Sequence, residues 1–197
     1  MKFTIRLIFL IGFATISPLI LLMLLIIYFE DGAPVIFSQK RLGKNKKIIN
    51  LFKIRTMKKS TPDLGTHEIN ESSYLKSGKF LRVTKIDELP QIINFVKGDM
   101  NIVGPRHGLP NQYELTRYRD ELQVYSIKPG ITGLSQILGF DMSNPNMLSK
   151  IDNLYIRNKS IKLDMSIFMA TFLPFLRKKL HDKFKQEIYN FEKTDNE

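Results

Sequence analysis

Asp87 and Glu88 stand side by side in "IDELPQIINFVKG", residues 86 to 98, and "DMNIVGPRHG" follows at once. Leu89, Ile92, Ile93 and Val96 recur at helical spacing and Gly98 is a natural stop, so the segment reads as a helix with both carboxylates in its first turns. Free backbone N–H groups and the helix dipole favour negative charge there, which makes acidic residues an ordinary feature of helix starts. An adjacent pair has further chemical uses. Neighbouring helical residues diverge by about 100°, so these two cannot share a proton as facing carboxylates do, and they suit separate tasks. One could be a nucleophile or metal ligand and the other a base, with Mg²⁺ and cationic side chains holding phosphates close by. Lys53, Arg55, Arg82 and Arg106 are the candidate cations.

The whole chain is basic. Its 197 residues carry 30 Lys plus Arg against 19 Asp plus Glu, a formal charge of +11. That length suits one main globular domain with appendages. The charge points to an anionic partner: nucleic acid, an acidic lipid face or a phosphorylated substrate. Cysteine is absent, which excludes a disulfide framework, Cys-rich zinc sites and thiol catalysis. His67 and His107 lack the spacing of paired metal ligands and read as surface or turn residues.

From Leu7 to Phe29 there is no charged residue. As a helix this run reaches about 34 Å, enough for the roughly 30 Å hydrocarbon core of a bilayer. A cleaved signal peptide fits less well, because no small-x-small site follows the run. Pro18 removes a helix N–H in mid-run, so the helix must kink or break, and the Ser17 hydroxyl can satisfy a freed carbonyl. Lys2 and Arg6 precede the run, and Lys40, Arg41, Lys44, Lys46 and Lys47 follow it. Positive residues on both flanks fit a re-entrant hairpin, while an ordinary kinked span is the other reading.

Pro34 to Met57 has two stretches rich in Val, Ile and Phe around Gly43-Lys44-Asn45, a β-hairpin with a basic tip. Residues 60 to 79 have loop composition. Asn111 to Val124 reads as a helix, and "KPGITG" at 128 to 133 as a turn-rich connection. In the tail, Leu176, Leu180, Phe184, Ile188 and Phe191 share a helical face, and Arg177, Lys178, Lys179, Lys183 and Lys185 populate the others. That pattern suits a helix packed on a core or one lying in an anionic membrane interface, and the apolar run at the other end of the chain tips the expectation toward the interface.

Six blocks in order resemble the bacterial sugar transferases, the small monotopic phosphoglycosyl transferases. They are the apolar run with Ser17-Pro18, "VIFSQKRLG" at 35 to 43, "FKIRTM" at 52 to 57, "DELPQIINFVKGDMNIVGPR" at 87 to 106, "KPGITGLSQ" at 128 to 136 and "YIRNKSIKLDMSI" at 155 to 167. The resemblance runs from about Phe3 to Lys178. It implies transfer of a sugar 1-phosphate from a UDP-sugar to a polyprenyl phosphate such as undecaprenyl phosphate, with release of UMP and a requirement for Mg²⁺. By similarity Asp87 is the nucleophile that forms a phosphosugar aspartyl intermediate and, with Glu88, serves the metal and the acceptor. Arg82, Lys53 and Arg106 match basic positions around the phosphates and nucleotide. Ser17-Pro18 matches the break that makes the family's membrane hairpin re-entrant.

The implied fold is α+β and predominantly helical, a monotopic membrane protein on the cytoplasmic face of the bacterial inner membrane. The expected organisation is a re-entrant helix-break-helix over 1–30, a catalytic domain with a small β-hairpin over 31–160, and interfacial amphipathic helices with a polar tail over 161–197. Expected partners are the UDP-sugar, the polyprenyl phosphate and membrane lipids, with no nucleic acid. Three departures stand out: His107 replaces the proline of the family's "GPRP", Leu138-Gly139-Phe140 replaces its Asn-Gly-Arg, and Lys128 stands where many members have arginine. They bear on sugar recognition more than on the chemistry. The chain is expected to be the minimal catalytic unit, without the multi-span extension of larger relatives. Two other classes compete: a non-catalytic membrane scaffold, in which Asp87 is replaceable, and a nucleic-acid binder, which accounts for the charge but not for the apolar run.

Overall fold

The computed structural model describes residues 3–62 and 70–195; His67 lies outside them. The apolar run forms one helix, α1 (Phe3–Asp31), with Pro18 inside it. Ser17-Pro18 therefore does not end the helix. Proline cannot donate to the carbonyl four residues back, that of Ala14, and the Ser17 hydroxyl donates to this carbonyl instead at 2.7 Å. Among the described residues no helix is long and apolar enough to cross a membrane.

The chain divides into two compact units. The first comprises Met1–Lys40 and Asn50–Gly98, the second Arg41–Ile49 and Asp99–Glu197. In the first unit the second half of α1 is core. Ile20 and Ile27, with Met23 and Leu24 between them, lie at helical spacing and pack with Ile54, Leu75, Leu81, Ile86 and Leu89. Full burial of a side chain such as Ile27 is worth about 1.5–3 kcal/mol, so α1 belongs to the unit that carries Asp87. The opposite face of α1 exposes Leu21, Leu22, Leu25 and Phe29.

The hairpin expected around Gly43 is present as β1 (Ile36–Leu42) and β2 (Ile48–Ile54), a sheet of two strands joined by the lysine-bearing tip. Helix α2 (Lys76–Thr84) begins inside the stretch that composition marks as loop. Gly78 explains its close seating, because a Cβ there would lie 2.1 Å from the Thr56 carbonyl oxygen. Lys85, in the left-handed region at φ 58°, turns the chain from α2 into a 3-10 helix over Ile86–Gln91. Helix α3 (Ile92–Lys97) continues from it and stops at Gly98, whose φ of 85° suits glycine.

In the second unit β3 (Asn101–Val103) pairs in parallel with β4 (Gly130–Thr132), in the register Asn101↔Gly130 and Val103↔Thr132. "KPGITG" thus contains a strand, too short to display a period of two. Helix α4 (Tyr113–Glu121) realises the element expected from Asn111. Helices α5 (Leu134–Leu138), α6 (Pro145–Arg157), α7 (Ile161–Phe172) and α8 (Pro174–Asp195) complete the unit.

The interfacial expectation for the tail needs correction. Leu180, Phe184 and Ile188 of α8 are buried in the core formed with α5, α6 and α7, and Leu176 and Phe191 pack against it. The apolar stripe of α8 is used inside the unit, and its lysine-rich faces, with Phe175 and Tyr189, are left to solvent. The face left uncovered is on α7, where Ile161, Met165, Met169 and Phe172 are exposed, followed by Phe175.

Candidate active site

The carboxylates sit in the first turn of the 3-10 helix, on a segment held by apolar neighbours on both sides: Ile86 and Leu89 pack into the core of the first unit. Asp87 is buried. Burial pushes its carboxyl up to about 6, and the Glu88 charge pushes the same way, while Lys53, Arg82 and its own backbone N–H pull it back. The ammonium of Lys53 donates to Glu88 Oε1 at 3.0 Å, and both side chains are about a fifth exposed. Since a 3-10 helix advances about 120° per residue, the two carboxylates point apart as expected, Glu88 toward Lys53 and Asp87 inward.

Arg82 lies in the last turn of α2. Its Nε donates to Thr56 Oγ1 at 2.9 Å, its Nη1 to the Tyr74 hydroxyl at 3.3 Å, and its guanidinium carbon lies 4.8 Å from the centre of the Tyr74 ring. The charge is thereby held near Asp87, with no ion pair to a carboxylate among the described residues. The first unit thus brings together Asp87, Glu88, Lys53 and Arg82.

Arg55 is differently engaged. Its Nη2 donates to the carbonyls of Asp31, at 3.2 Å, and Gly32, at 2.6 Å, and lies 3.2 Å from the Asp31 carboxylate. These contacts cap the C-terminal end of α1, where unpaired carbonyls and the helix dipole favour a cation. Glu30 accepts from the backbone N–H of Lys76 and Ser77 and from the Ser77 hydroxyl, so the end of α1 also caps the start of α2.

Arg106 belongs to the second unit. It lines a small pocket there with Gly43, Pro105, Arg119, Tyr125 and Pro129. The Gly104-Pro105-Arg106 turn is fixed by its backbone: Gly104 N–H donates to Thr132 O and Gly130 N–H to Pro105 O. A third restraint is Asp152 of α6, which accepts from the backbone N–H of Arg106. Asp152 also accepts from Arg119 Nη2 at 2.5 Å and from the Ser135 hydroxyl at 2.9 Å, with Asp152 and Arg119 each 1% exposed. Burial pushes the Asp152 carboxyl above its ordinary range, against the pull of Arg119, Ser135 and that N–H.

Sequence reasoning missed this network. The available signal was an aspartate on the apolar face of a helix, among Leu148, Ile151 and Tyr155. His107, which reads as a surface or turn residue, lies in the irregular segment between β3 and α4 and is buried there, beside the antiparallel bridge of Leu42 and Gly108.

Mg²⁺ takes oxygen ligands and is commonly held by one or two carboxylates together with substrate phosphates. Among the described residues no group of three His, Cys, Asp or Glu side chains could form an all-protein cage. A buried carboxylate whose cationic neighbours do not offset its burial, as at Asp87, is the smaller donor set that fits such an ion.

Comparison with known proteins agrees with the order of the motifs. Residues 2–178 match the sequence model of the bacterial sugar transferases. The galactosyl transferase CpsE of Streptococcus agalactiae serotype III (strain NEM316) is 38% identical over 156 residues, 72% of this chain and 34% of that protein. A UDP-glucose:undecaprenyl-phosphate glucose-1-phosphate transferase of Klebsiella pneumoniae is 39% identical over 176 residues, 83% of this chain and 37% of that protein. The chain thus spans about a third of the length of these two relatives. It covers more of a third, the uncharacterized sugar transferase EpsL of Bacillus subtilis (strain 168), which is 35% identical over 79% of this chain and 76% of its own. With a family match across most of its length and relatives of this identity, the chain belongs to the bacterial sugar transferase family.

Proposed function

We propose that the protein transfers a sugar 1-phosphate from a UDP-sugar to a polyprenyl phosphate, undecaprenyl phosphate in bacteria, and releases UMP. This is the first membrane step of glycoconjugate synthesis, such as that of a capsule or exopolysaccharide. The observation that carries the reading is a buried carboxylate, Asp87, flanked by Glu88, Lys53 and Arg82. Two relatives named for sugar-1-phosphate transfer to undecaprenyl phosphate support the substrate classes.

In the proposed first step an oxygen of Asp87 attacks the phosphorus next to the sugar. The phosphoanhydride bond breaks, and the electron pair leaves with UMP. Lys53 and Arg82 hold the diphosphate and offset the charge that develops on it. Mg²⁺, held by Asp87 and the donor phosphates, would supply further charge neutralisation. The product on Asp87 is an acyl phosphate. Glu88 serves the second step, in which a phosphate oxygen of the polyprenyl acceptor attacks the same phosphorus and the Asp87 carboxylate leaves. Splitting the transfer gives the lipid, a weak nucleophile, an activated target.

The test presents UDP-glucose, UDP-galactose and other UDP-sugars to the detergent-solubilised enzyme with Mg²⁺. Without lipid, UMP is expected in an amount near that of the enzyme, together with a phosphosugar adduct by intact-protein mass spectrometry. With undecaprenyl phosphate, turnover follows. UMP release that strictly requires lipid, with no adduct, would favour direct transfer and make Asp87 a metal ligand. Silence across the panel from folded protein would favour the scaffold.

The membrane placement belongs to the same proposal. Helix α1 enters the cytoplasmic leaflet and bends back at Ser17-Pro18; the Ser17 bond to the Ala14 carbonyl and the basic residues on both flanks support this. The uncovered α7 face, from Ile161 to Phe175, lies in the interface in place of the α8 face. Single cysteines at Lys2 and Pro34 can be labelled without background, since the chain has none of its own. Both are expected to react only from the cytoplasmic side. Pro18→Ala should let the helix straighten and move the residue 2 probe outside. A residue 2 probe that reacts only from outside in the parent chain would establish a span instead.

A further inference from the structure

Asn94 of α3 is fully buried, and its amide is spent on one partner, strand β2. Its Nδ2 donates to the Asn50 carbonyl at 2.6 Å, and its Oδ1 accepts from the Phe52 N–H at 3.3 Å. Carbonyl and N–H of alternate residues point to one edge of a strand. Among the described residues the sheet has two strands, so β2 has β1 on one edge and no described strand on the other. The Asn94 amide supplies a donor and an acceptor on that open edge, as the peptide of a third strand would. Lys97, one turn further along α3, places its ammonium 5.2 Å from the centre of the Phe52 ring.

The position of this clamp matters because side chains alternate along a strand. Ile49, Leu51 and Lys53 share one face of β2, on which Ile49 and Leu51 are buried and Lys53 partly so, while Ile54 is buried on the other face. A slip of one residue would send Lys53 to the other face. Two-stranded sheets are marginal by themselves, so the register that the turn closed by Gly43 N–H and Lys47 O sets gains from a second restraint further along β2. The clamp grips the residues on either side of Leu51, and the following side chain on that face is the one that meets Glu88 at 3.0 Å.

We propose that Asn94 is a positioning residue for the transfer reaction: its side-chain amide fixes the register of β2 and thereby holds the Lys53 ammonium beside Glu88. The inference rests on the donor-binding role given to Lys53 above.

The experiment uses the full chain in detergent, with undecaprenyl phosphate and the UDP-sugar of the panel above that the wild type turns over. Lys53→Met, Asn94→Ala and the double variant are compared for kcat and for KM of the donor, with melting curves to establish folding. Asn94→Ala is expected to lower kcat/KM on the order of ten-fold, within the range of coupled neighbours. It should raise KM in the same proportion to its fall in kcat as Lys53→Met does. The double variant should be no worse than Lys53→Met alone. A merely structural amide would reduce the active fraction, leaving KM unchanged and multiplying the two losses; that result overturns the proposal, as does wild-type activity in folded Asn94→Ala. Should Asn94→Ala fail to fold, Asn94→Asp, which keeps the acceptor for the Phe52 N–H, enters the same cycle under the same criteria. Wild-type enzyme that releases no UMP from any UDP-sugar of the panel refutes the underlying donor reading and the clamp with it. Wild-type turnover with multiplicative losses refutes the clamp alone.

Discussion

Asp87→Asn is expected to abolish both lipid-independent UMP release and the phosphosugar adduct, and at the same time to make the folded protein more stable at neutral pH. An amide oxygen is not a competent nucleophile toward phosphorus, so the first effect follows from the proposed chemistry. The second follows from burial, which raises the Asp87 carboxyl from 3.8 to about 6. A raised acid binds its proton more tightly in the folded state than in the unfolded one, so stability falls as pH rises through the window between the two values. Below 3.8 both states are protonated and there is no cost. Above about 6 the cost is complete, and the gap from 3.8 to about 6 amounts to about 3 kcal/mol. The uncharged amide of the Asp87→Asn variant escapes it. Melting curves of the enzyme without divalent ion or donor should therefore separate wild type and variant at pH 7.5 and converge near pH 3.5. Equal stability at pH 7.5 would mean that Lys53 and Arg82 already compensate the charge. Lost activity with gained stability is what distinguishes a reacting carboxylate from a structural one.

The parts that local pattern controls were legible in the sequence. The carboxylate pair, the stop at Gly98, the hairpin around Gly43 and the Ser17 bond to a carbonyl freed by Pro18 each depend on residues a few positions apart. The pairing of cations with carboxylates was legible only as a set of candidates. Lys53 meets Glu88, whereas Arg55, two residues later, caps the end of α1, and nothing in "FKIRTM" separates the two roles. The α8 face shows a different limit. An apolar stripe flanked by lysines has the same pattern whether it meets lipid or protein, and the choice is made by α5, α6 and α7, which bury it. Helix α2 was hidden by its composition, because what seats it is the close approach of Gly78 to Thr56 and not an apolar period. Asp152 and Arg119 lie 33 residues apart in the chain, beyond the reach of any local pattern.

Removing Arg119 alone, as Arg119→Met, should cost about 3–5 kcal/mol, because it leaves the Asp152 carboxylate buried without its counter-ion. For a chain of this size that is a fall in melting temperature of about 6–20 °C. The Ser135 hydroxyl and the Arg106 N–H still reach Asp152 in that variant, but neutral donors do not replace a guanidinium at 2.5 Å. The double variant Arg119→Met/Asp152→Asn should recover much of the loss. Asparagine carries no charge to strand, and its carbonyl oxygen can still accept from Ser135 or from the Arg106 N–H. A double variant more stable than Arg119→Met is therefore the expected order, read from thermal or denaturant unfolding of the full chain. Costs that simply add would mean that the pair is not coupled. The recovery should be incomplete in one respect: with one side-chain acceptor oxygen instead of two, asparagine holds the Ser135 hydroxyl and the Arg106 N–H less firmly than Asp152 does, so the double variant should still melt below the wild type.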